Sequence, residues 1–479
     1  MKRQRGRTRL ALAGVVAVCA AAALPAPARA AGEPSPYSFD SAAKAVAGTA
    51  VNTNGPALEA GSTYKDSIRP GEKRYYRIDL DATSNAYVSA VAVPKLATKV
   101  SYADELSVSV ENRSGTSCSE GEARFGSAAY ARPVADYASR RVDKESTTCQ
   151  EAGPYYVLLE RKGEATSSPE PWEVELRFVT EPKLSGKAPT AAPENWPSAS
   201  PAAPAGGPVV RAGGNGFHDA TGLAQGEWQD EIRPGRTLFY RVPVDWGQQV
   251  FVSADLGSST AADPGSVSSA LALALHNPAR GLVDEESGVY YDGKQKSLAL
   301  DPLPPVAYEN RFDSDSTVSA VRFAGWYYLS VTLSPEIADE FGDEPLPLTL
   351  RVNVEGDARS GPGYDGPAGD FQVTDDDQEA ADSGRNAAEE STSATMRVVA
   401  AAGIGTGTLL VLALGLWTLL ARRRAADRQG DPVQLPAQAH PAPGQAPVPG
   451  HPAGYGYPPP QGGPGQGYGY GQYGPPPGQ

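Results

Sequence analysis

Histidine is the side chain that most often moves protons near neutral pH, and this chain has four. His440 and His451 fall in a proline- and glycine-rich C-terminal tail, which leaves His218 and His276 for any folded part. No GxSxG elbow, HExxH pair or glycine-rich phosphate loop is present. Carboxylate pairs are numerous, but an acidic surface supplies them without catalysis. These residues argue against an enzyme, and no catalytic residue is assigned. For metal ions, Asp313 and Asp315, or Asp284-Glu285-Glu286, offer oxygen ligands of the kind calcium takes. Their spacing matches no EF-hand loop, and a solvated acidic loop accounts for them as well. No cofactor is therefore expected, with calcium left open. Glycan contact needs exposed planar aromatics, and Trp228, Trp246 and Trp326 are the candidates. Each stands at a strand-flanking position, so core or edge packing is the competing reading.

The remaining chemistry is that of export. Lys2, Arg3, Arg5, Arg7 and Arg9 precede the apolar run Leu10 to Leu24, and Ala28-Arg29-Ala30 gives a small-x-small cleavage site. Residues 1–30 therefore read as a secretory signal peptide. Cys19 leaves with it, so Cys118 and Cys149 are expected to form one disulfide. Residues 398–421 carry no charge and are followed at once by Arg422-Arg423-Arg424. This predicts a transmembrane helix with the N-terminal side outside and the C-terminal side in the cytoplasm. Gly403 and Gly407 form a GxxxG in that span, a face on which two helices dimerise when they approach closely. With the signal peptide and cytoplasmic tail set aside, 32 basic and 54 acidic residues remain, a formal charge of about −22. That excludes nucleic acid as a natural partner.

Positioning such residues falls to a duplicated unit. Tyr64-Lys65-Asp66-Ser67-Ile68-Arg69-Pro70-Gly71 returns as Trp228-Gln229-Asp230-Glu231-Ile232-Arg233-Pro234-Gly235. Tyr76-Arg77 matches Tyr240-Arg241, and Val88-Ser89-Ala90 matches Val252-Ser253-Ala254. Further on, Leu106, Val108 and Val110 correspond to Leu271, Leu273 and Leu275, and Gly153-Pro154-Tyr155-Tyr156 to Gly325-Trp326-Tyr327-Tyr328. Trp172, Val174, Leu176 and Phe178 align with Leu348, Leu350, Val352 and Val354. The matched stretches alternate with period two, as antiparallel strands with one buried face do. Glu173, Glu175 and Arg177 fall on the polar face of theirs. Pro70-Gly71 and Pro234-Gly235 mark tight turns.

The fold class read from this is all-β: two tandem antiparallel β-sandwiches, jelly-roll-like, plus one transmembrane helix with disordered linkers and tail. Residues 57–182 and 215–356 are the sandwiches, and 31–56 a flexible N-terminal segment. Residues 183–214, rich in proline, alanine and glycine, are an extended semi-rigid linker. Residues 357–397, including Asp375-Asp376-Asp377, are an acidic stalk with too few apolar residues to fold. Residues 422–479 are a low-complexity Pro/Gly/Tyr-rich tail.

The Pro-Gly turn, the Tyr-Arg strand, the Val-Ser-Ala strand and the later Gly-x-Tyr-Tyr strand together resemble the bacterial pre-peptidase C-terminal type of domain. The resemblance covers Leu58–Phe178 and Leu223–Val354 and implies a jelly-roll-like sandwich on a secreted protein. The alanine-rich leader, acidic ectodomain and Pro/Gly/Tyr tail resemble those of actinobacterial surface proteins. The expected role is a non-enzymatic, membrane-anchored surface protein contacting another envelope or secreted protein. Two alternatives stay open: cell-wall glycan binding, and an accessory or inhibitor of a secreted enzyme.

Overall fold

The computed structural model describes residues 37–426 apart from 144–145, 188, 190, 194 and 262–264, and describes no side chains for 391–407 and 425–426. The expected signal peptide and residues 427–479 of the expected tail lie outside the described residues. The chain divides into two compact units, Met1–Ala402 and Gly403–Gln479.

The first unit holds two sandwiches of eight principal strands each. In the first sandwich these are β1 (Ser62–Ile68), β2 (Lys73–Leu80), β3 (Asn85–Val93), β4 (Glu105–Glu111), β5 (Ser117–Arg124), β6 (Val134–Arg140), β7 (Gly153–Lys162) and β8 (Trp172–Glu181). The second has β9 (Gly226–Ile232), β10 (Thr237–Val244), β11 (Gln249–Leu256), β12 (Leu271–His276), β13 (Leu282–Glu286), β14 (Lys296–Ala299), β15 (Gly325–Leu333) and β16 (Leu346–Glu355). Sheet β1-β8-β3-β6 faces β2-β7-β4-β5, and β9-β16-β11-β14 faces β10-β15-β12-β13, so both copies are wired alike. These ladders are antiparallel; the two-residue strands Lys44–Ala45, Val209–Val210 and Thr221–Gly222 add to edges in parallel. Alternation fills each core: Tyr76, Ile78 and Leu80 point in, while Arg77 and Asp79 stay in water. Gly71 and Gly235 have φ of 72° and 71°. Each occupies the third position of its Pro-Gly turn, where glycine carries no Cβ penalty.

Register refines the repeat. Ile68 pairs with Trp172 and Ile232 with Leu346, so Trp172 is equivalent to Leu346 and Val174 to Leu348. The sequence alignment of this strand was displaced by two residues, a slip that period two conceals because the same face stays inward. The unit also begins earlier than expected. Lys44 pairs with Tyr64 and Val209 with Trp228. Asp66 then receives the Tyr76 hydroxyl (2.7 Å) and the Gly48 amide (2.7 Å), as Asp230 receives Tyr240 (2.6 Å) and Gly213 (2.8 Å). The supposed flexible segment 31–56 and linker 183–214 thus each contribute an edge strand and a hydrogen-bond donor. The linker is further tied down by the Leu184–Tyr364 bridge and by Gln249 donating to the Pro197 carbonyl at 2.8 Å.

Residues 357–397 also depart from expectation. In addition to the short helices α1 (Ser316–Ala320) and α2 (Ile337–Phe341), the chain forms α3 (Asp375–Ser383) and enters α4 (Ala387–Ala426). Thr374 and Asp377 cap α3 reciprocally, and the three aspartates read as a charge run occupy its first turn, where the helix dipole favours them. Phe371, Ala380 and Ala381 are fully buried. Few apolar residues suffice because the sandwiches supply the other half of this core. The segment is a strap, not a free stalk. The expected membrane span, 398–421, falls within α4, with side chains of 398–407 outside the description. Among the described residues no helix is long and apolar enough to cross a membrane.

The outer face of β8 is where the sandwiches meet. Glu175, expected on a polar face, and Glu181, at the end of the strand, are both fully buried. Arg280 reaches Glu175 at 2.5 Å, joined by the Tyr37 hydroxyl (3.2 Å) and the Asp40 amide (3.1 Å). Arg311 holds Glu181 through two nitrogens at 2.7 and 3.2 Å, and Asn85, Tyr87 and Tyr364 donate to the same carboxylate at 2.7, 2.8 and 2.7 Å. Burial alone would raise the Glu181 carboxyl, but Arg311 and these hydrogen bonds outweigh it and hold it below the usual range. Apolar contacts surround the pairs: Val91, Val93, Ala135, Phe217 and Phe239 in one cluster, Tyr87, Val179, Phe323 and Phe371 in another. Strand β3 is consequently buried on both faces, as is β12, whose leucines face the core while Ala272, Ala274 and His276 face β6. Close approach requires Gly281, where a Cβ would come within 1.7 Å of the Tyr137 ring.

Three outcomes follow. Cys118 and Cys149 are bonded across a separation of 31 residues, and replacing both by serine lowers the stability of the first sandwich by about 3–4 kcal/mol in denaturant titration. Glu175→Ala strands Arg280 in the interface and costs about 3–5 kcal/mol, whereas Glu173→Ala, from a half-exposed pair with Lys65, changes stability by about 1 kcal/mol or less. Burial pushes His276 down to about 4, hydrogen bonding toward Ala135 only partly opposing it. Below its unfolded value the unfolded chain takes up the proton first, so stability present at neutral pH drains away as pH falls from about 6.5 toward 4. Relative to His276→Gln, the parent protein should lose roughly 3 kcal/mol over that window; parallel stability curves would remove His276 from the interface energetics.

Candidate functional site

A cavity of about 360 Å³ opens where the two sandwiches and the strap converge, within the range of small-molecule sites. Strand β8 contributes Arg177, and the chain before the first sandwich contributes Asp40. The second sandwich supplies Phe217 and His218 ahead of β9, Arg241 from β10, Pro278 and Arg280 from the β12–β13 turn, and Trp326 and Tyr328 from β15. The strap closes the remaining side with Asp370, Gln372, Thr374 and Asp377, followed by Ala387 and Glu390 at the start of α4.

Every guanidinium in this wall already faces a carboxylate. Arg177 meets Asp370 at 2.7 Å, Arg241 meets Glu390 at 2.9 Å and Arg280 meets Glu175 at 2.5 Å. Asp377 takes the Trp326 indole N–H at 2.7 Å, and Asp40 lies 3.5 Å from His218 Nδ1. Arg241 also spreads over the Trp326 ring at 4.0 Å and donates to the Arg385 carbonyl at 2.9 Å. Its side chain is 2% exposed. Burial raises the Glu390 carboxyl, with Arg241 pulling the other way. Three buried polar atoms keep an unused valence: Arg241 Nε, His218 Nε2 and Glu390 Oε1. The cavity is thus polar, charge-matched and floored by aromatic rings. Its geometry suits holding a ligand; it sets no nucleophile beside a base.

The residues singled out from the sequence are dispersed by the fold. Trp228 is buried in the second core, its indole donating to the Ala224 carbonyl at 3.0 Å with Arg211 over its ring at 4.5 Å. Trp246 is likewise buried in that core. Neither offers an open ring face, so packing accounts for both. Trp326 alone of the three reaches the cavity. His276 faces a separate, water-sized space of about 20 Å³ between the sandwiches. Asp313 and Asp315 are engaged in local turns, Asp315 capping α1. Asp284 accepts from the Asp301 amide, and Glu285 pairs with Arg132. Among the described residues no group of three or more His, Cys, Asp or Glu is placed to hold a metal ion. Gly403 and Gly407 lie among the side chains outside the description. Arg241, Arg280 and Glu390 escaped the sequence reading. The Tyr-Arg match put Arg241 on the outward face with Arg77, and it is outward, but another part of the chain covers it.

No family model matches the chain, and no curated protein does. Among solved structures, it is similar to the pre-peptidase C-terminal domain of a Bacillus anthracis collagenase, at 12% identity, over 26% of this chain and 94% of that one, with a TM-score of 0.17. It is also similar to the CBM22-1–CBM22-2 tandem of Paenibacillus barcinonensis Xyn10C, at 10% identity, covering 67% of this chain and 100% of that one, with a TM-score of 0.16. A third similarity is to the ANX1 ectodomain of Arabidopsis thaliana, at 10% identity, over 62% and 83% of the two chains, with a TM-score of 0.17. At such scores these likenesses carry no weight beyond a distant β-sandwich.

Proposed function

We propose that this is an exported, single-pass membrane protein of the bacterial cell surface, whose two sandwiches act as one rigid, non-catalytic head contacting another envelope protein. The observation that carries this reading is the buried seam between the sandwiches, with Glu175 and Glu181 fully buried against Arg280 and Arg311. A head built this way presents a fixed surface larger than either domain, which favours recognition of another macromolecule. Wiring of the first, eighth, third and sixth strands against the second, seventh, fourth and fifth supports a jelly-roll reading. We read both domains as such, in keeping with the pre-peptidase C-terminal resemblance. Anchoring is supported by the uncharged run 398–421 inside α4, by the exposed leucines from Leu409 to Leu420, and by the three arginines that follow. The non-catalytic assignment is supported by the burial of His276 and by the paired state of the cavity's charges.

The test uses the full chain in its own membrane. A photo-crosslinking amino acid is placed at the exposed positions Tyr102, Val210 and Tyr290, and intact cells are irradiated. A discrete adduct of defined mass at one or more positions is expected. An uncrosslinked chain at all three positions, in every growth condition, would remove the partner-binding reading.

A further inference from the structure

We propose that residues 372–390, the outer part of the strap, form a clasp that undocks from the second sandwich as a unit while Phe371 and both sandwiches stay in place. The clasp is held differently from everything around it. Of its side chains only Ala380 and Ala381 are buried, two methyl groups, so apolar burial contributes little. The other contacts are polar. Asp377 takes the Trp326 indole N–H, Glu390 meets Arg241, and the Arg385 carbonyl accepts from the same guanidinium. Arg211 donates to the Ala381 and Asp382 carbonyls at 3.4 and 3.1 Å, at the end of α3. Each of these bonds replaces a bond to water, so its net gain is small. Helix α3 has nine residues, and isolated helices below about 12–15 residues are marginal in water. Undocking therefore melts it, and the chain entropy regained favours release. Segments with so few buried apolar contacts open well before the strands they lie on.

The inner part of the strap is anchored otherwise. Phe371 is fully buried and stacked on Phe323, and Tyr364 donates to Glu181. Phe371 is thus the pin at which opening stops. At the other end Glu390 stands in the first turn of α4. The uncharged run beginning at Val398 follows after about 12 Å of helix. Released, residues 372–390 span up to about 60 Å, so the clasp sets how far the head can stand from its anchor. That step rests on the membrane-anchoring reading; the undocking does not. Gly222 gives experimental access to the clasp. A Cβ there would come within 2.7 Å of the Ala380 carbonyl oxygen and 2.9 Å of that of Arg385, so a side chain at 222 presses on the clasp.

The test is native-state hydrogen exchange of the full chain in lipid nanodiscs, with Gly222→Val as the prying variant. In the parent, α3 amides should exchange about a hundredfold faster or more than those of β11 and β16. Gly222→Val should speed α3 by a further tenfold or so and leave the strands and the Phe371 amide unchanged. Glu390→Gln removes the charge facing Arg241 from the clasp side alone. It should speed α3 several-fold, which keeps the proposal testable if the valine variant does not fold. Parent α3 amides as slow as the strands would overturn the clasp, as would α3 exchange unmoved by both variants. Strands that loosen together with α3 in Glu390→Gln would make the segment part of the global unit and overturn it equally. Reach is read by energy transfer from a donor at the exposed Tyr102→Cys to acceptor lipid in the same nanodiscs. The mean distance should be longer in Gly222→Val; equal distances beside faster α3 exchange would remove the control of reach. A chain that the nanodisc does not retain would overturn the anchoring reading, and the reach with it, while the exchange of α3 still decides the clasp.

Discussion

Everything distinctive about this protein depends on taking two carboxylates out of water. Glu175 and Glu181 stand six residues apart on one strand, and each is buried beneath the other sandwich. Removing a charge from water costs several kcal/mol unless a partner and further hydrogen bonds replace the hydration shell. Glu181 receives five such bonds from four residues, and Glu175 receives three. Because donors come from both sandwiches, from the N-terminal segment and from the strap, none of these parts can leave without taking hydrogen bonds from a buried carboxylate. Hydrophobic contact alone would tolerate sliding. The ion pairs make one docking geometry much better than its neighbours.

The strap shows how a polar segment acquires a fold. Residues 357–390 have too little apolar surface to make a core, yet Phe371 stacks on Phe323 at 4.6 Å and meets Tyr87 edge-on at 5.7 Å. Tyr364 completes the Glu181 shell, and Asp370 and Asp377 supply anions to Arg177 and Trp326. Its acidity, which reads in isolation as a signature of disorder, is complementary to arginines the sandwiches leave along the seam. Ordering such a segment loses conformational entropy, and the contacts that offset this loss come almost entirely from surface already assembled.

Legibility in the sequence divides along the same physical line. Strands, turns and the duplication could be read because period-two alternation and Pro-Gly chemistry are local. Even a two-residue error in matching β8 to β16 left every side chain on its correct face. The seam could not be read in the same way: Glu173, Glu175 and Arg177 look equivalent on a polar face, and only the distant Arg280 distinguishes the middle one. Two hints did exist. Strand β12 reads Leu-Ala-Leu-Ala-Leu, apolar on both faces, which is the pattern of a strand covered twice. Strand β3, with Tyr87, Val91 and Val93 between the core-facing Val88, Ala90 and Ala92, says the same. The cavity was hidden more deeply, because its wall joins residues from Asp40 to Glu390.

Duplication lets the two copies be compared at one position, where equivalent arginines meet different surroundings. Arg77 and Arg241 occupy the same place in the repeat, after the tyrosine that anchors each domain to Asp66 or Asp230. Arg77 stays in solvent, 46% exposed and paired with its neighbour Asp79. Arg241 is 2% exposed, sandwiched between Trp326 and Glu390. Pro154 stands where the second copy has Trp326, so the first copy lacks the ring on which a covered guanidinium could rest. The strap covers the second copy at this position. Once covered, its arginine required an anion from the covering segment, and Glu390 meets that requirement with one oxygen while the other remains unpartnered. The asymmetry between two like domains thus arises from the contacts of a third segment.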